Sequence, residues 1–286
     1  MRAKLHLWRW AAPLSLAIVL SAPAQSRADD ASPWDKDTKS AVRLIAGSTL
    51  RDKNATALRA GIELQLEPGW KTYWRYAGDS GLPPQFEFAG SDNVKSAMVL
   101  WPAPTRFPDG AGGNSIGYTG NVIFPVHVAA QDPAKPVTLR LQASYGVCEK
   151  ICIPASGKAE LLLAGGPASQ DASLAAAEAR APKPVVLGAV GPLAIHGAHR
   201  DTVDGRSKVV VEVTAPEGAS VNLFVEGLTS QWSLPLPEPV GKPAGTARSF
   251  AFDVDGVPPG ARIEGAWLKL TLVAGEEAIE VVTHAD

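Results

Sequence analysis

The chain has 286 residues, of which 45% are hydrophobic and 20% are charged. That apolar fraction supplies folded cores and excludes wholesale disorder, and the length suggests about two domains. The formal net charge of −2 provides no basic field for nucleic acid, so a nucleic-acid-binding role is excluded. Glycine (27) and proline (24) are abundant but follow no Gly-X-Y period, which excludes collagen and favours short strands joined by turns.

The first 28 residues have the pattern of a secretory signal peptide. Basic side chains such as Arg2 and Arg9 come first, an apolar segment follows at residues 11–20, and Ala28 ends a small-residue cleavage site. An uncleaved membrane anchor is the alternative, but the apolar segment is short for the ~20 residues that span a bilayer. We therefore expect an exported protein without stable membrane insertion after cleavage, in a compartment where disulfides persist.

Residues 34–164 have the pattern of an all-β domain. Alternating apolar and polar residues predict strands, and stretches rich in glycine and proline predict the turns between them. This spacing is typical of an immunoglobulin-like β-sandwich. Pro125 favours an edge strand or a bulge, and Trp70, Tyr73 and Trp74 are expected in the core. The predicted strands are residues 60–66, 122–128, 137–143 and 158–163.

The rest of the chain is predicted to be a linker and a second β-domain. Residues 165–184 form the linker, with a short alanine-rich helix at 173–180 that Pro182 ends. Residues 185–286 contain no cysteine and no catalytic constellation, so a second β-sandwich-like domain that acts as a spacer or docking surface is expected. Its predicted strands are residues 208–213, 221–225, 249–254 and 267–273.

Cys148 and Cys152 are the two cysteines of the chain. A straight strand would separate residues four apart by about 13 Å, whereas a disulfide needs Cα atoms within about 7 Å. The chain must therefore turn at residues 149–151 if the pair is bonded, and a three-residue hairpin fits better than a helix between Gly146 and Pro154. A bridge this local constrains the unfolded chain little, which favours a reactive pair over a structural one.

Three interpretations of the pair remain open from the residues alone. It is a redox-active dithiol, an inert local disulfide, or a soft thiolate site for Cu(I) or Zn(II), although no cluster of further ligands accompanies it. Lys150 between the cysteines would stabilise a thiolate and lower its pKa, while Glu149 would oppose that effect.

Several motifs in one order make the pattern more specific. Residues 34–163 resemble the N-terminal periplasmic domain of the thiol–disulfide interchange protein DsbD and of its ScsB-type relatives. The similar stretches are CEKICIP at 148–154, PGWKTYWR at 68–75, GDSGLPP at 78–84, WPAP at 101–104, IGY at 116–118 and FPV at 124–126.

The resemblance implies an immunoglobulin-like domain whose cysteine pair relays electrons through mixed disulfides, as a thiol–disulfide oxidoreductase of the protein-disulfide reductase type. A membrane-embedded electron donor would reduce the pair. The pair would then reduce thioredoxin-like periplasmic proteins, disulfide isomerases or cytochrome c maturation factors. Cys148 and Cys152 would be catalytic, with Cys152 the residue that bonds the partner, and no cofactor or metal is expected. The alternative is a non-catalytic binding or copper-handling module on the same fold.

The resemblance also implies a cap that shields the cysteines with an aromatic residue. The matching stretch is residues 107–115, and Tyr118 matches a tyrosine of the family. Family members have five residues between the cysteines where this chain has three, and residues 109–113 include no aromatic side chain. Either Phe107 substitutes or the shield is open, and Asp109 is either a proton acceptor for a thiol or a turn residue. The expected supporting residues are Phe107, Asp109, Tyr118 and Lys150.

Overall fold

The structure, a computed structural model, describes residues 29–52, 55–78, 80–109, 112–227, 229 and 231–285. The predicted signal peptide lies outside these residues. The described chain is almost entirely β and folds into two β-sandwich units joined by a segment with one short helix. No helix within the described ranges has the length and apolar character that crossing a bilayer requires.

The first unit is an immunoglobulin-like sandwich of two antiparallel sheets. Its strands are β1 (Asp35–Lys36), β2 (Ser40–Asp52), β3 (Ala55–Leu66), β4 (Lys71–Gly78), β5 (Gln85–Glu87), β6 (Val94–Val99), β7 (Thr105–Pro108), β8 (Asn114–Thr119), β9 (Asn121–Ala130), β10 (Val137–Cys148) and β11 (Cys152–Leu163). One sheet has the strand order β1-β2-β3-β9-β6. The other has the order β11-β10-β4-β8-β7, with β5 also paired to β10.

Alternation along the strands builds the core between these sheets. In β10, the alternate residues from Val137 to Val147 are buried while most of the residues between them are partly or fully exposed, as the period-two pattern predicts. The fully buried side chains of Trp74 and Phe124 enter the same core from β4 and β9.

Pro125 does not mark an edge strand. It lies in β9, which has β3 on one side and β6 on the other. The carbonyl of Pro125 accepts a hydrogen bond from the backbone N–H of Leu100, just after β6 ends at Val99. The nitrogen of a strand residue faces the same side as its carbonyl, so the missing N–H lies where β6 ends and costs at most the last bond between the two strands.

The helix α1 (Asp171–Ala179) follows the first unit, close to its predicted position. It packs on the outer face of the sheet that contains β2, β3 and β9, because Leu174 fits over two glycines. A methyl group at Gly47 or Gly61 would lie 2.6 or 2.7 Å from the Leu174 side chain, so neither site has room for a larger residue.

An ion-pair cluster fixes the two ends of α1. The buried guanidinium of Arg59 bonds Asp171 in the first turn at 3.1 Å and Glu178 in the last turn at 2.8 Å. His127 of β9 also contacts Glu178 at 3.1 Å. The linker helix is thus held on the first unit by both apolar and charged contacts.

The second unit contains two four-stranded sheets. The strands are β12 (Lys183–Pro184), β13 (Ala194–Val203), β14 (Arg206–Thr214), β15 (Val221–Gly227), β16 (Glu238–Ala244), β17 (Ala247–Asp253), β18 (Trp267–Ala274) and β19 (Glu277–His284). The two sheets have the orders β12-β19-β18-β15 and β13-β14-β17-β16. Lys183–Pro184, which the sequence assigns to the linker, forms β12 and pairs in parallel with β19.

The two units share an interface. Phe224 of the second unit is buried in the same apolar cluster as the core of the first, with its ring centroid 5.7 Å from that of Trp74. Beside this contact, Arg75 of β4 bonds the carboxylates of Glu226 and Glu280. Apolar packing and charge pairing therefore join the units along β4.

Candidate functional site

The cysteines face each other at the tip of the hairpin formed by β10 and β11. Cys148 ends β10, Cys152 begins β11, and the two residues are directly opposed in the register. Residues 149–151 form the turn, and the two Cα atoms lie 4.1 Å apart, with the sulfurs joined as a disulfide. This is the three-residue hairpin that the spacing of the cysteines predicts.

The two sulfur-bearing residues differ in their access to solvent. Cys148 is only 7% exposed, because β4 flanks it on the side away from β11. Cys152 is exposed, since β11 is the last strand of its sheet. A thiolate that approaches from solvent therefore meets Cys152 and not Cys148.

A tyrosine hydroxyl lies beneath the disulfide. The Tyr73 hydroxyl oxygen is 2.6 Å from Sγ of Cys148 and 3.0 Å from Sγ of Cys152. Disulfide sulfurs carry no proton, so the hydroxyl is the donor. Tyr73 is 2% exposed and forms a small cluster with Ala77 and Cys148, separate from the sandwich core. The sequence placed Tyr73 in the core with Trp74, but adjacent strand residues point to opposite faces, and only Trp74 enters the main core.

A glycine-containing loop covers the Tyr73 ring. Gly81 has φ +139°, and a methyl group there would lie 2.3 Å from Cε1 of Tyr73. The carbonyl of Leu82 accepts a hydrogen bond from the backbone N–H of Gly146 at 3.1 Å, which ties the loop to β10. A methyl group at Gly146 would also crowd Tyr73, at 3.0 Å from Cε2. These glycines let the loop and β10 approach the ring closely.

Asp109 links this loop to the hairpin of β7 and β8. Its carboxylate accepts hydrogen bonds from Ser80 Oγ at 3.1 Å and from the backbone N–H of Gly113 at 3.0 Å. Burial raises the pKa of Tyr73, and the negative charge of Asp109 raises it further. The Tyr73 hydroxyl therefore keeps its proton at neutral pH and remains a donor to sulfur.

Phe107 lies on the sheet face that carries the cysteines. Its ring centroid is 4.5 Å from Nζ of Lys71, and Lys71 is directly opposite Cys148 in the pairing of β4 with β10. Directly opposed residues of antiparallel strands share one face, so Phe107 and Lys71 flank the disulfide on the side of β7. Lys150 is exposed in the hairpin turn.

Tyr118 lies on the other face of the same sheet. It is opposite the buried Thr72, and its hydroxyl donates to the carbonyl of Pro102 at 2.8 Å. Its ring packs edge-on against Phe124 in the sandwich core. The tyrosine hydroxyl at the sulfurs is thus that of Tyr73, and a role for Tyr118 in exchange stays a prediction.

The site offers sulfur chemistry rather than an evident metal centre. Among the residues that the structure describes, no group of three or more histidine, cysteine, aspartate or glutamate side chains is placed to hold a metal ion. What the geometry supplies is one accessible sulfur, one buried sulfur and a protonated hydroxyl that touches both.

Comparisons with known proteins agree with this geometry. No curated protein sequence matches the chain significantly. The crystal structure of the N-terminal periplasmic domain of ScsB from Proteus mirabilis is similar, with a TM-score of 0.67, over 90% of this chain and 98% of that chain at 21% identity. At this identity the likeness establishes the fold. Residues 42–164 match the family model of the N-terminal domain of the thiol:disulfide interchange protein DsbD, and this part of the chain is thus a domain of the DsbD/ScsB type.

Proposed function

We propose that the protein is a periplasmic thiol–disulfide exchange protein that relays electrons through Cys148 and Cys152. The observation that carries this proposal is the asymmetry of the disulfide, with Cys152 exposed and Cys148 buried against the Tyr73 hydroxyl. The DsbD/ScsB-type domain supports thiol–disulfide exchange as the class of reaction.

The exchange begins at the exposed sulfur. A thiolate of a reduced donor attacks Sγ of Cys152, the bond between Cys152 and Cys148 breaks, and Cys148 leaves as a thiolate while a mixed disulfide forms. The second thiolate of the donor then attacks the sulfur of the donor's first cysteine in the mixed disulfide and releases Cys152 as a thiolate. The donor ends as a disulfide, the pair has gained two electrons, and solvent supplies protons as the thiol pKa values require.

Delivery to an acceptor is the same sequence in reverse. The Cys152 thiolate attacks the acceptor disulfide, and the Cys148 thiolate resolves the mixed disulfide by attacking Cys152. We infer from the family resemblance that acceptors are thioredoxin-like proteins, disulfide isomerases or cytochrome c maturation factors, and that the donor is embedded in the membrane.

Tyr73 stabilises the leaving group in the first step. When Cys148 becomes a thiolate, the hydroxyl that lies 2.6 Å from its sulfur donates a charge-assisted hydrogen bond. Bonds to charged groups contribute about 1.5–3 kcal/mol, and a thiol of lower pKa leaves faster. A partner thiolate at Cys152 therefore breaks the disulfide with the charge directed to Cys148.

Apolar side chains beside the disulfide supply a contact surface for the partner. Ile151 in the turn is 74% exposed, and Leu82 in the loop over Tyr73 is 50% exposed. Exposed apolar residues next to a reactive group are typical of protein interaction sites. A thioredoxin-like partner would cover both side chains as its thiolate reaches Cys152.

Trapping with serine variants tests the proposal. The probe is a thioredoxin-like protein whose resolving cysteine is replaced by serine and whose remaining cysteine carries thionitrobenzoate, so that attack by a thiolate of the variant forms the mixed disulfide and releases the thionitrobenzoate anion. C148S leaves the exposed Cys152 free and is expected to give a reducible mixed disulfide, whereas C152S, with only the buried sulfur, is expected to give at least tenfold less. Equal trapping by both variants would contradict the assigned roles. Structural disulfides have reduction potentials below about −300 mV, and a potential in that range for the Cys148–Cys152 pair would exclude exchange altogether.

A further inference from the structure

The second β unit holds the strand that carries Phe107. Arg106 of β7 donates from Nη1 to the carboxylate of Glu238 at 2.6 Å and from Nη2 to the carbonyl of Pro237 at 2.7 Å. Both acceptors belong to the second unit. The Arg106 side chain is 16% exposed and that of Glu238 is 61% exposed, so the ion pair lies at the surface, while the bond to the Pro237 carbonyl is partly shielded from water.

Strand β7 is held within its own sheet from one side, by its pairing with β8. It is four residues long, it is the terminal strand, and β8 is its one sheet neighbour in the described chain. Short edge strands with few backbone bonds open at low free energy. The bonds of Arg106 therefore add a second anchor, outside the sheet, to the pairing of β7 with β8.

Two contacts carry the position of β7 to the disulfide. Phe107, the next residue after Arg106, lies 4.5 Å from the ammonium of Lys71, which is opposite Cys148. At the end of the same strand, Asp109 bonds Ser80 in the loop that covers Tyr73. A shift of β7 would loosen both the contact of Phe107 with Lys71 and the loop that covers Tyr73.

The second unit also holds β4, the strand of Tyr73. Arg75, two residues beyond Tyr73, bonds Glu226 and Glu280, and the Tyr76 hydroxyl donates to the carbonyl of Leu234. The strands on either side of β8 are thus both anchored on the second unit, by groups that lie one to three residues from side chains of the redox site.

We propose that the second β unit is a positioning element of the redox site and that Arg106 is the positioning residue through which it fixes β7, the strand of Phe107. The inference rests on the proposed exchange function for its biological meaning, whereas the shielding of Cys148 that it predicts is measurable without any partner. Loss of the Arg106 bonds frees β7, displaces Phe107 and Asp109, and admits reagents to the buried sulfur.

Alkylation of Cys148 measures this shielding. In the C152S background Cys148 is a single, buried thiol, and its rate of reaction with iodoacetamide reports access to the sulfur. The measurement is made at about pH 9.5, one unit above the usual cysteine pKa of ~8.5, so that the thiol is largely ionised in every variant. Adding R106M is expected to raise the rate at least tenfold, and adding R106K, which keeps the charge for Glu238, to raise it less.

R43M is the matched control, because Arg43 forms an ion pair with Glu63 inside the first unit, on the other sheet. It removes the same kind of side chain and is expected to leave the alkylation rate within twofold. An unchanged rate in folded R106M would overturn the proposal, and so would an equal rise in R43M, which would indicate general loosening. Either result leaves the trapping experiment above unaffected, since alkylation needs no partner.

Discussion

The Tyr73 hydroxyl oxygen lies 2.6 Å from Sγ of Cys148, on the side of the disulfide that solvent does not reach. The tyrosine keeps its proton because burial and the nearby charge of Asp109 both raise its pKa. A buried, protonated hydroxyl favours the thiolate form of the sulfur that it touches. The hydroxyl lies closer to Sγ of Cys148, at 2.6 Å, than to Sγ of Cys152, at 3.0 Å, so it favours negative charge on Cys148.

Removal of the Tyr73 hydroxyl tests this stabiliser. Y73F keeps the ring, so the loop above it still packs, but a bond worth about 1.5–3 kcal/mol to the thiolate is lost. We expect the pKa of the Cys148 thiol to rise by about one to two units, at 1.36 kcal/mol for each. Thiolate absorbance against pH in C152S and in C152S/Y73F measures the shift.

Y118F is the control for that substitution. It removes a hydroxyl that bonds Pro102 in the core, at a cost in stability of about 1 kcal/mol. The Cys148 titration is expected to stay unchanged. An equal shift in Y118F would mean that the tyrosine singled out by the family resemblance, and not Tyr73, governs the thiol.

Gly81 is expected to be a sensitive position in the loop over Tyr73. In G81A the new methyl group would lie 2.3 Å from the Tyr73 ring in a backbone conformation that L residues rarely adopt. Stability should fall, and exchange with the thioredoxin-like probe should slow at least tenfold because Tyr73 is displaced.

G90A is the control, since Gly90 also has a positive φ, +79°, but no neighbour within 4 Å. It should lose about 1–2 kcal/mol of stability with its exchange rate intact. Chemical unfolding and stopped-flow exchange separate the two effects.

The contact of Leu174 in the linker helix with Gly61 predicts that the stability losses of L174A and G61A do not add. L174A is expected to cost about 2–5 kcal/mol of unfolding free energy, because Leu174 is fully buried over Gly61. G61A is also expected to destabilise, since its methyl group would lie 2.7 Å from Leu174 Cδ2. In G61A/L174A the methyl group occupies the space that the leucine leaves, so the double variant should lose less than the sum of the single losses. Additive losses in urea unfolding would show that the two residues do not share this contact.

Asp171 predicts loss of stability in acid. Desolvation raises the pKa of Asp171. Hydrogen bonds from Ser48 and Ala168 and the charge of Arg59 lower it by more, so the pKa lies below the ordinary value. A depressed carboxyl pKa stabilises the fold above the unfolded-state pKa, and this contribution disappears as the pH falls through the folded-state pKa. D171N should therefore lose less stability than the unaltered protein between pH 6 and about pH 3. Identical pH profiles in urea unfolding would contradict this role.

Features fixed by local sequence were predictable. The alternation in β10 defines its buried face, and the three residues between the cysteines require a tight turn whatever the rest of the fold does. The helix near residue 174 follows from its alanine-rich composition, and Pro182 limits it. Each of these depends on neighbours in the chain.

The role of Tyr73 could not be predicted in this way, because it depends on pairing between strands far apart in sequence. Thr72 and Trp74 face the core, so Tyr73 between them must face outward, but only the pairing of Lys71 with Cys148 brings the disulfide to that face. One step in register reverses the face of every side chain in a strand. Tyr118, opposite Thr72, is on the inner face for the same reason.

The bond between Arg106 and Glu238 lay equally beyond sequence reasoning. The two residues are 132 positions apart, and nothing local in either segment marks its partner. Surface charges are common, and only the docking of the two units selects this pair.

Because only one end of the disulfide is open to solvent, a donor and an acceptor that both form a covalent bond with the protein have to use Cys152 in turn. The two cannot be attached at once, so turnover would follow ping-pong kinetics, with each partner inhibiting the other competitively when in excess. The protein would then accept two electrons from the donor, release it, and pass them to the acceptor in a separate binding event.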